Sequence, residues 1–232
     1  IRIPHPLLKK GENVIKIQFA SPIKTSGSAI TRYIDKEDGA EYIYSLFVPS
    51  DASTAFPVFD QPDLKARFKL EITAPDNWEV VSNAKKKSDA ETTFQSDRSV
   101  SGTISLPKNH QENSKKRILA SEFEETKPIS TYAFAFASGQ FQTYVFPDAI
   151  GKDKLPSTIY VRQSQSPKMD DHVVEVSDLN ENVVKYLQEY FDYKFPFPKY
   201  DMVLIPEFPF GGMEHAGATF LILFQSKSPP LP

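Results

Sequence analysis

Short alternations of apolar and polar residues fill the first 146 residues, and they constrain the fold more than any other feature of the sequence. A period of two places every second side chain on the same face of a β-strand. The segments with this pattern are 14–19, 42–48, 68–72, 78–81, 103–106, 132–136 and 141–145. Gly, Pro and Asn residues separate them. The pattern therefore predicts an antiparallel β-sandwich or saddle over residues 1–146.

The pattern changes after residue 146. Residues 147–156 are polar and are predicted to connect this domain to a second, α+β unit at 157–232. A strand is predicted at 157–162, and Ser166-Pro167 favours the start of a helix. Apolar residues then recur every three or four positions, which predicts one long helix over 167–192. The apolar face of that helix is predicted to consist of Met169, Val173, Val176, Leu179, Val183, Leu187 and Tyr190.

Composition excludes several classes of protein. With 232 residues, 40% hydrophobic and 25% charged, the chain is typical of a soluble globular protein of one or two domains. No apolar run approaches the roughly 20 residues of a membrane-spanning helix. A net charge of −3 with interspersed signs gives no basic surface for nucleic acid. The absence of cysteine excludes disulfides, thiolate metal ligands and cysteine nucleophiles.

Residues 207–220 carry the strongest functional signal. Two adjacent glycines, Gly211 and Gly212, allow the backbone to approach another chain closely, and Glu214 follows two residues later. Strands are predicted on both sides, at 202–205 and 218–224. Such a segment can lie beside an extended peptide and offer one negative charge to its end. On local composition alone, the alternative is a glycine-rich bulge with a solvated Glu214.

Three blocks of sequence resemble the zinc aminopeptidase family of aminopeptidase N and leukotriene epoxide hydrolase, the gluzincin metallopeptidases. Residues 211–215, Gly-Gly-Met-Glu-His, are similar to its Gly-(Ala/Gly)-Met-Glu-Asn exopeptidase motif. Residues 56–68 resemble its Phe-Pro-Cys-Phe-Asp-Gln/Glu-Pro-Asp-x-Lys-Ala-x-Phe segment, and residues 123–132 resemble the approach to the last strands of its N-terminal domain. The order and spacing agree, so the resemblance covers most of residues 40–224.

The resemblance implies a fold and a function. The fold is mainly β: an antiparallel N-terminal β-domain followed by the N-terminal portion of a thermolysin-like catalytic domain. The function is removal of N-terminal amino acids from peptides by a zinc-dependent enzyme, with a peptide bearing a free N-terminus as the binding partner. The substrate-binding residues implied are Gly211, Gly212, Met213, Glu214 and His215. Glu214 would bind the free ammonium group, and the backbone of 211–213 would lie against the substrate.

The zinc site of that family is not found in this sequence. It requires His-Glu-x-x-His on a helix, which places both imidazoles on one face and the Glu as general base. The histidines here are His5, His110, His172 and His215, and no two have this spacing. We therefore expect the chain to be a piece of a longer enzyme. Zinc and the remaining catalytic domain would belong to that complete protein, and the chain alone would bind no zinc and be inactive.

Two positions depart from the family pattern. Many members carry Gln-x-Glu or Gln-x-Gln where Leu46 and Val48 stand, and that side chain helps to hold the substrate amine. His215 replaces the usual Asn. The apolar pair slightly favours an alternative function, a non-catalytic binding or scaffold module derived from the same family. A carbohydrate-binding β-sandwich is a further alternative, based only on the number of strands and aromatic residues.

Overall fold

The computed structural model describes residues 3–92, 103–105 and 117–222, which form three sheets and a helical segment. The strands are β1 (Ile30–Ile34), β2 (Glu41–Ser45), β3 (Glu71–Pro75), β4 (Glu79–Ser82), β5 (Lys86–Thr92), β6 (Thr103–Ser105), β7 (Ile118–Phe123), β8 (Phe136–Gly139), β9 (Phe141–Ile150), β10 (Leu155–Arg162), β11 (Asp201–Ile205), β12 (Gly212–Met213) and β13 (Ala218–Ile222). The α-helices are α1 (Ala52–Ala55), α2 (Ser166–Asp170) and α3 (Val173–Tyr190), with 3₁₀ turns at His5–Leu7, Thr131–Ala133 and Gln163–Gln165.

The strand order defines the three sheets. The first sheet, β1-β2-β8-β4, is antiparallel throughout. The second sheet, β5-β7-β3-β6, is antiparallel except for the β3/β6 pair. The third sheet, β12-β13-β11-β10-β9, is mixed: β10, β11 and β13 run parallel, and an antiparallel strand closes each side. The prediction of a mainly β chain with a smaller α+β part is confirmed.

Period-two alternation explains how these sheets stack. In β2, Ile43 faces a core shared with the second sheet, and Tyr42 and Tyr44 on either side of it face the third sheet. The first sheet is therefore buried on both faces. The opposite face of the third sheet packs against α2 and α3 through Met169, Val173 and Val176. The resulting layers are second sheet, first sheet, third sheet and helices.

Of the seven strand segments predicted within the first 146 residues, five share two or more residues with an observed strand. These are 42–48, 68–72, 78–81, 103–106 and 141–145, which correspond to β2, β3, β4, β6 and β9. Residue 106 and the expected extended tail at 226–232 lie outside the described residues. The prediction for 14–19 is wrong, because these residues pair with no strand in the described part of the chain, and Val14 is 80% exposed. Alternation without a neighbouring strand is not sufficient to form a sheet.

The predicted strand at 132–136 is also wrong over most of its length. Thr131–Ala133 is a 3₁₀ turn, and β8 begins only at Phe136. Side chains take the place of ladder partners here: the Asn83 amide bonds the backbone of Ala133 and Ala135, and the Ser45 hydroxyl accepts the Phe136 N–H at 2.9 Å. Because the backbone groups are satisfied locally, the alternating residues do not need a partner strand.

The predicted connector at 147–156 contains the ends of two paired strands instead. β9 continues to Ile150, β10 begins at Leu155, and only residues 151–154 form the turn between them. The chain leaves the first sheet at Gly139 and enters the third at Phe141. A division of the chain into two domains stays a proposal, and sheet membership favours Gln140 as its boundary.

The predicted long helix is interrupted. α2 ends at Asp170 and α3 begins at Val173, with His172 out of helical conformation between them. The buried face also differs from the predicted one. Ser177, Val184 and Gln188 are buried, whereas four residues expected on the apolar face are exposed: Leu179, Val183, Leu187 and Tyr190. The helix turns a more polar stripe toward the sheet than its apolar spacing indicates.

Candidate substrate-binding site

The exopeptidase-like motif lies at the edge of the third sheet. β12 is the outermost strand in the described part of this sheet, with Gly212 opposite Leu221 and Met213 opposite Phe220. The N–H of Ile222 donates to the carbonyl of Gly211 at 3.1 Å and extends the pairing. A Cβ on Gly212 would lie 2.7 Å from the Leu221 side chain and 3.2 Å from the Phe220 carbonyl. Glycine therefore allows the close approach of the two strands.

Glu214 is the one outward-facing side chain between two buried ones. Met213 is 6% exposed and His215 is 1% exposed, whereas Glu214 is exposed to solvent. No hydrogen bond or ion pair of the Glu214 carboxylate is formed with the described residues. Among the described residues the carboxylate is therefore unpaired at the end of the edge strand, where a cation can approach it from solvent.

His215 faces the core rather than the solvent. Its ring centroid lies 4.7 Å from that of Phe220, with the planes at 75°. Neither Nδ1 nor Nε2 has a hydrogen-bond partner among the described residues. Burial lowers the pKa of His215 to about 3, so the ring is neutral near pH 7. A contribution of His215 to substrate binding must therefore be indirect.

A tight turn follows Glu214 and leads into β13. The Ala218 N–H donates to the His215 carbonyl at 3.1 Å, and Gly217 has φ +71°. That φ favours glycine, because a Cβ is strained in the left-handed region. The turn fixes where the backbone of Glu214 lies relative to the sheet.

The first sheet reaches the loop that precedes the motif. The Tyr44 hydroxyl donates to the Glu207 carbonyl at 2.7 Å, and burial raises the pKa of Tyr44 well above its ordinary value. Leu46 and Val48 follow along the same chain segment and are half-buried. Both are apolar, so neither can supply a second charge to the site.

A cavity of about 460 Å³ lies beside the turn, and its wall includes Asn83, Phe197 and Ala216 but not Glu214. Its rim charges Lys194 and Asp153 pair with each other at 3.0 Å. We assign the candidate site to the Glu214 edge, because among the described residues this edge combines an unpaired carboxylate with a strand that has no neighbour on its outer side.

The described residues do not form a zinc site. Within 3–92, 103–105 and 117–222, no group of three or more His, Asp or Glu side chains is placed to hold a metal ion. His172 is exposed and His215 is buried away from other ligands. In the same part of the chain, no helix has the length and apolar character needed to cross a bilayer.

Three residues near the motif were not identified from the sequence. From its local sequence, Tyr44 is expected in the core of a strand and Asn83 in a turn after a strand. Lys199 stands between prolines and a predicted strand, where a cation at the surface is expected. In the structure Asn83 and Lys199 are buried, with their polar atoms directed at backbone carbonyls. Local sequence gives no signal for such contacts, because the bonded partners are remote along the chain.

Comparison with known proteins places the chain in a family. Residues 1–133 match the Peptidase M1 N-terminal domain and residues 176–226 match the Peptidase family M1 domain. The chain is 30% identical to aminopeptidase N of Streptomyces lividans over 230 residues, which is 97% of this chain and 23% of that protein. It is 32% identical to probable M1 family aminopeptidase 1 of Encephalitozoon cuniculi, over 98% of this chain and 23% of that protein.

Human glutamyl aminopeptidase is 28% identical over 210 residues, 89% of this chain and 19% of the human protein. The chain thus spans about a quarter or less of the length of these relatives. The match to the N-terminal domain alone covers more than half of the chain. On this evidence the chain belongs to peptidase family M1, whose aminopeptidases are zinc metallopeptidases.

Proposed function

We propose that this chain is the part of a zinc aminopeptidase that receives the N-terminus of a peptide. The observation that carries the proposal is the exposed carboxylate of Glu214, which has no partner among the described residues and lies at the end of β12, the edge strand of the described part of the third sheet. An α-ammonium group is the natural partner of an isolated carboxylate, and an open strand edge is a template for an extended peptide. The family membership and the aminopeptidase relatives support the same assignment.

In this scheme the backbone and the side chain have separate tasks. The backbone of Gly211–Met213 aligns the peptide as an additional strand. Hydrogen bonds between main chains do not depend on the side chains of the peptide, so peptides of many sequences can bind. Glu214 then fixes the position of the N-terminus, because its carboxylate attracts a chain that ends in an ammonium group at that point. Together they select free N-termini over internal peptide bonds.

The hydrolytic step is assigned to zinc ligands and a general base outside this chain. The described residues offer no ligand set for a zinc ion, so no step through zinc is derived from them. The isolated 232-residue chain is therefore predicted to bind no zinc stoichiometrically and to cleave no aminoacyl substrate. Metal analysis after dialysis, combined with a fluorogenic aminoacyl substrate, tests this. Stoichiometric zinc with chelator-sensitive turnover would contradict it.

The role of Glu214 is tested in the complete enzyme. Removing one partner of a close charge pair costs about 2–5 kcal/mol, so Glu214→Ala should lower kcat/KM for peptides with free N-termini by about a hundred-fold or more. Glu214→Gln should fall between, because it keeps a hydrogen bond and loses the charge. Installing a second acid with Val48→Glu should lower KM for free peptides if that segment faces the site.

N-acetylated peptides provide the matched control substrate, since they lack the ammonium charge. They should be poor substrates of the unmodified enzyme and should lose little further activity on mutation. Equal losses for free and acetylated peptides, or no loss for either, would mean that Glu214 does not bind the amine.

A further inference from the structure

The turn behind Glu214 is held by side chains from two remote parts of the chain. Each of its three carbonyls, from His215, Ala216 and Gly217, accepts a hydrogen bond. The first of these bonds is local, from the Ala218 N–H at 3.1 Å. The other two carbonyls receive buried side-chain donors, which local turn formation does not require.

Asn83 supplies the first remote donor. It follows β4 in the first sheet and is 4% exposed. Its Nδ2 donates to the Ala216 carbonyl at 2.8 Å and to the Ala133 carbonyl at 2.9 Å, and its Oδ1 accepts the Ala135 N–H at 2.8 Å. Both amide protons and the oxygen are therefore used. One fully bonded side chain connects the β4–β8 region to the turn.

Lys199 supplies the second. It is 6% exposed, and its Nζ donates to the Asp201 carboxylate at 2.6 Å and to the Gly217 carbonyl at 3.1 Å. The Asp201 N–H donates to the same carbonyl at 3.0 Å, and its Oδ1 accepts the Thr158 N–H at 3.0 Å. Burial lowers the pKa of Lys199 and raises that of Asp201, and their mutual attraction opposes both changes. A buried ion pair thus anchors the turn to β10 and β11.

We propose that Asn83 and Lys199 are positioning residues for amine recognition, which hold the backbone of Glu214 at the distance that an incoming ammonium group requires. The inference rests on the proposed function of Glu214. Neither side chain is exposed enough to touch a substrate, so each acts through a carbonyl two or three residues beyond Glu214. A charge displaced by about 1 Å in a binding site can lose much of its contribution to binding.

A purely structural role is the alternative, and the chain offers matched controls for it. Ser82, next to Asn83, makes an equally buried bond to the Ala135 carbonyl at 2.7 Å without reaching the turn. Arg162 forms a buried ion pair with Asp35 at 2.6 Å, also away from the turn. Ser82→Ala and Arg162→Met remove the same kinds of interaction as Asn83→Ala and Lys199→Met.

The test is steady-state kinetics of these four variants in the complete enzyme, with free and N-acetylated peptides. Asn83→Ala and Lys199→Met should raise KM for free peptides by about tenfold with kcat changed less than about twofold, and should leave acetylated peptides nearly unaffected. The two control substitutions should lower thermal stability without raising KM selectively for free peptides. Equal KM increases in the controls, or equal increases for acetylated peptides, would overturn the proposal.

A milder variant covers the case in which these substitutions prevent folding. Asn83→Asp keeps the acceptor for the Ala135 N–H but places a carboxylate oxygen against the carbonyls of Ala133 and Ala216, so the turn loses its bond from position 83 and is expected to open. In the 232-residue chain, hydrogen exchange of the Ala218 amide should accelerate by about tenfold relative to that of Ala137 in β8. Unchanged relative protection would overturn the proposal. If Glu214→Ala affects free and N-acetylated peptides equally, the proposed function of Glu214 is wrong. The exchange experiment still reports whether Asn83 holds the turn, because it does not involve a substrate.

Discussion

His215 is a buried histidine without hydrogen bonds to the described residues, held by edge-to-face contact with Phe220. Such a ring stabilises the fold only while it is neutral, because protonation would bury an unpaired charge. Its packing is that of an aromatic residue. An asparagine at this position could not make the same aromatic contact with Phe220.

This environment predicts an acid-sensitive fold. The folded-state pKa of His215, about 3, lies below the ordinary value of 6.5. The unfolded chain therefore binds the extra proton between these values, and stability falls as pH drops from 6.5 toward 3. At pH 5 the loss is about 2 kcal/mol relative to pH 7.5. His215→Phe should remove this pH-dependent loss, and the free energy of unfolding of the variant at pH 7.5 should stay within about 1 kcal/mol of that of the unmodified chain.

Urea denaturation at pH 7.5 and pH 5 measures this difference. His172→Gln is the control for loss of an imidazole, since that side chain is exposed. The same pH dependence in His215→Phe as in the unmodified chain would show that His215 is not the group responsible.

Gly217 permits a second prediction at the level of single residues. Gly217 and Gly39 have nearly the same φ, +71° and +74°, but a Cβ on Gly217 would lie 2.7 Å from the Asn83 carbonyl, and one on Gly39 would meet nothing within 4 Å. Gly39→Ala should cost about 1 kcal/mol from the backbone alone. Gly217→Ala should cost about 1–3 kcal/mol more, because the turn must move. Equal costs by thermal denaturation would contradict the close packing of the turn.

At the scale of elements, α3 shows how far apolar spacing can mislead. Val183 and Val184 are consecutive residues of α3 whose side chains point in different directions, so that Val183 is 46% exposed and Val184 is 7% exposed. Val184 packs against β9 and β10 near Ile150, and Gln188 in the next turn bonds the Lys152 N–H at 2.9 Å. The helix is therefore oriented by a bond to the β9–β10 turn as well as by apolar contact.

These two valines give a matched pair for testing the orientation of α3. Val184→Ala should lower the free energy of unfolding by about 2 kcal/mol, because it leaves a cavity. Val183→Ala should change it by less than about 0.5 kcal/mol, since its side chain is largely solvated. Chemical denaturation of both variants decides the question, and a larger effect at Val183 would mean that the apolar spacing had identified the buried face correctly.

At the scale of the whole molecule, the first and third sheets are joined by a buried polar connection as well as by their shared apolar core. Arg162, at the end of β10, pairs with Asp35 after β1 and lies 5.6 Å from the centre of the Tyr33 ring. Burial alone would raise the pKa of Asp35, but bonds from the Glu37 N–H, Ser164 and Arg162 outweigh it and lower the pKa. The first and third sheets are thus held together by a buried ion pair as well as by apolar contacts.

The sequence predicted the mainly β fold, the strands β2 to β4, and the location of the motif between two strands. These features depend on local periodicity and on glycine, which a single sequence reveals. The 3₁₀ turn at Thr131–Ala133 was not predictable, because the side chain that bonds the Ala133 carbonyl is that of Asn83, which is remote along the chain. The local spacing of apolar residues also gave no sign of the break at His172. Burial of Asn83 and Lys199 depends likewise on partners distant along the chain.

The role of Glu214 in amine binding is tested most directly by a crystal structure of the complete enzyme with a bound amino acid amide or short peptide that has a free N-terminus. We expect the ammonium nitrogen to lie about 3 Å from the Glu214 carboxylate. We also expect the ligand backbone to lie beside Gly211–Met213 as an added strand. An ammonium group bound elsewhere, with Glu214 still facing solvent, would contradict the assignment of this edge as the amine-binding site.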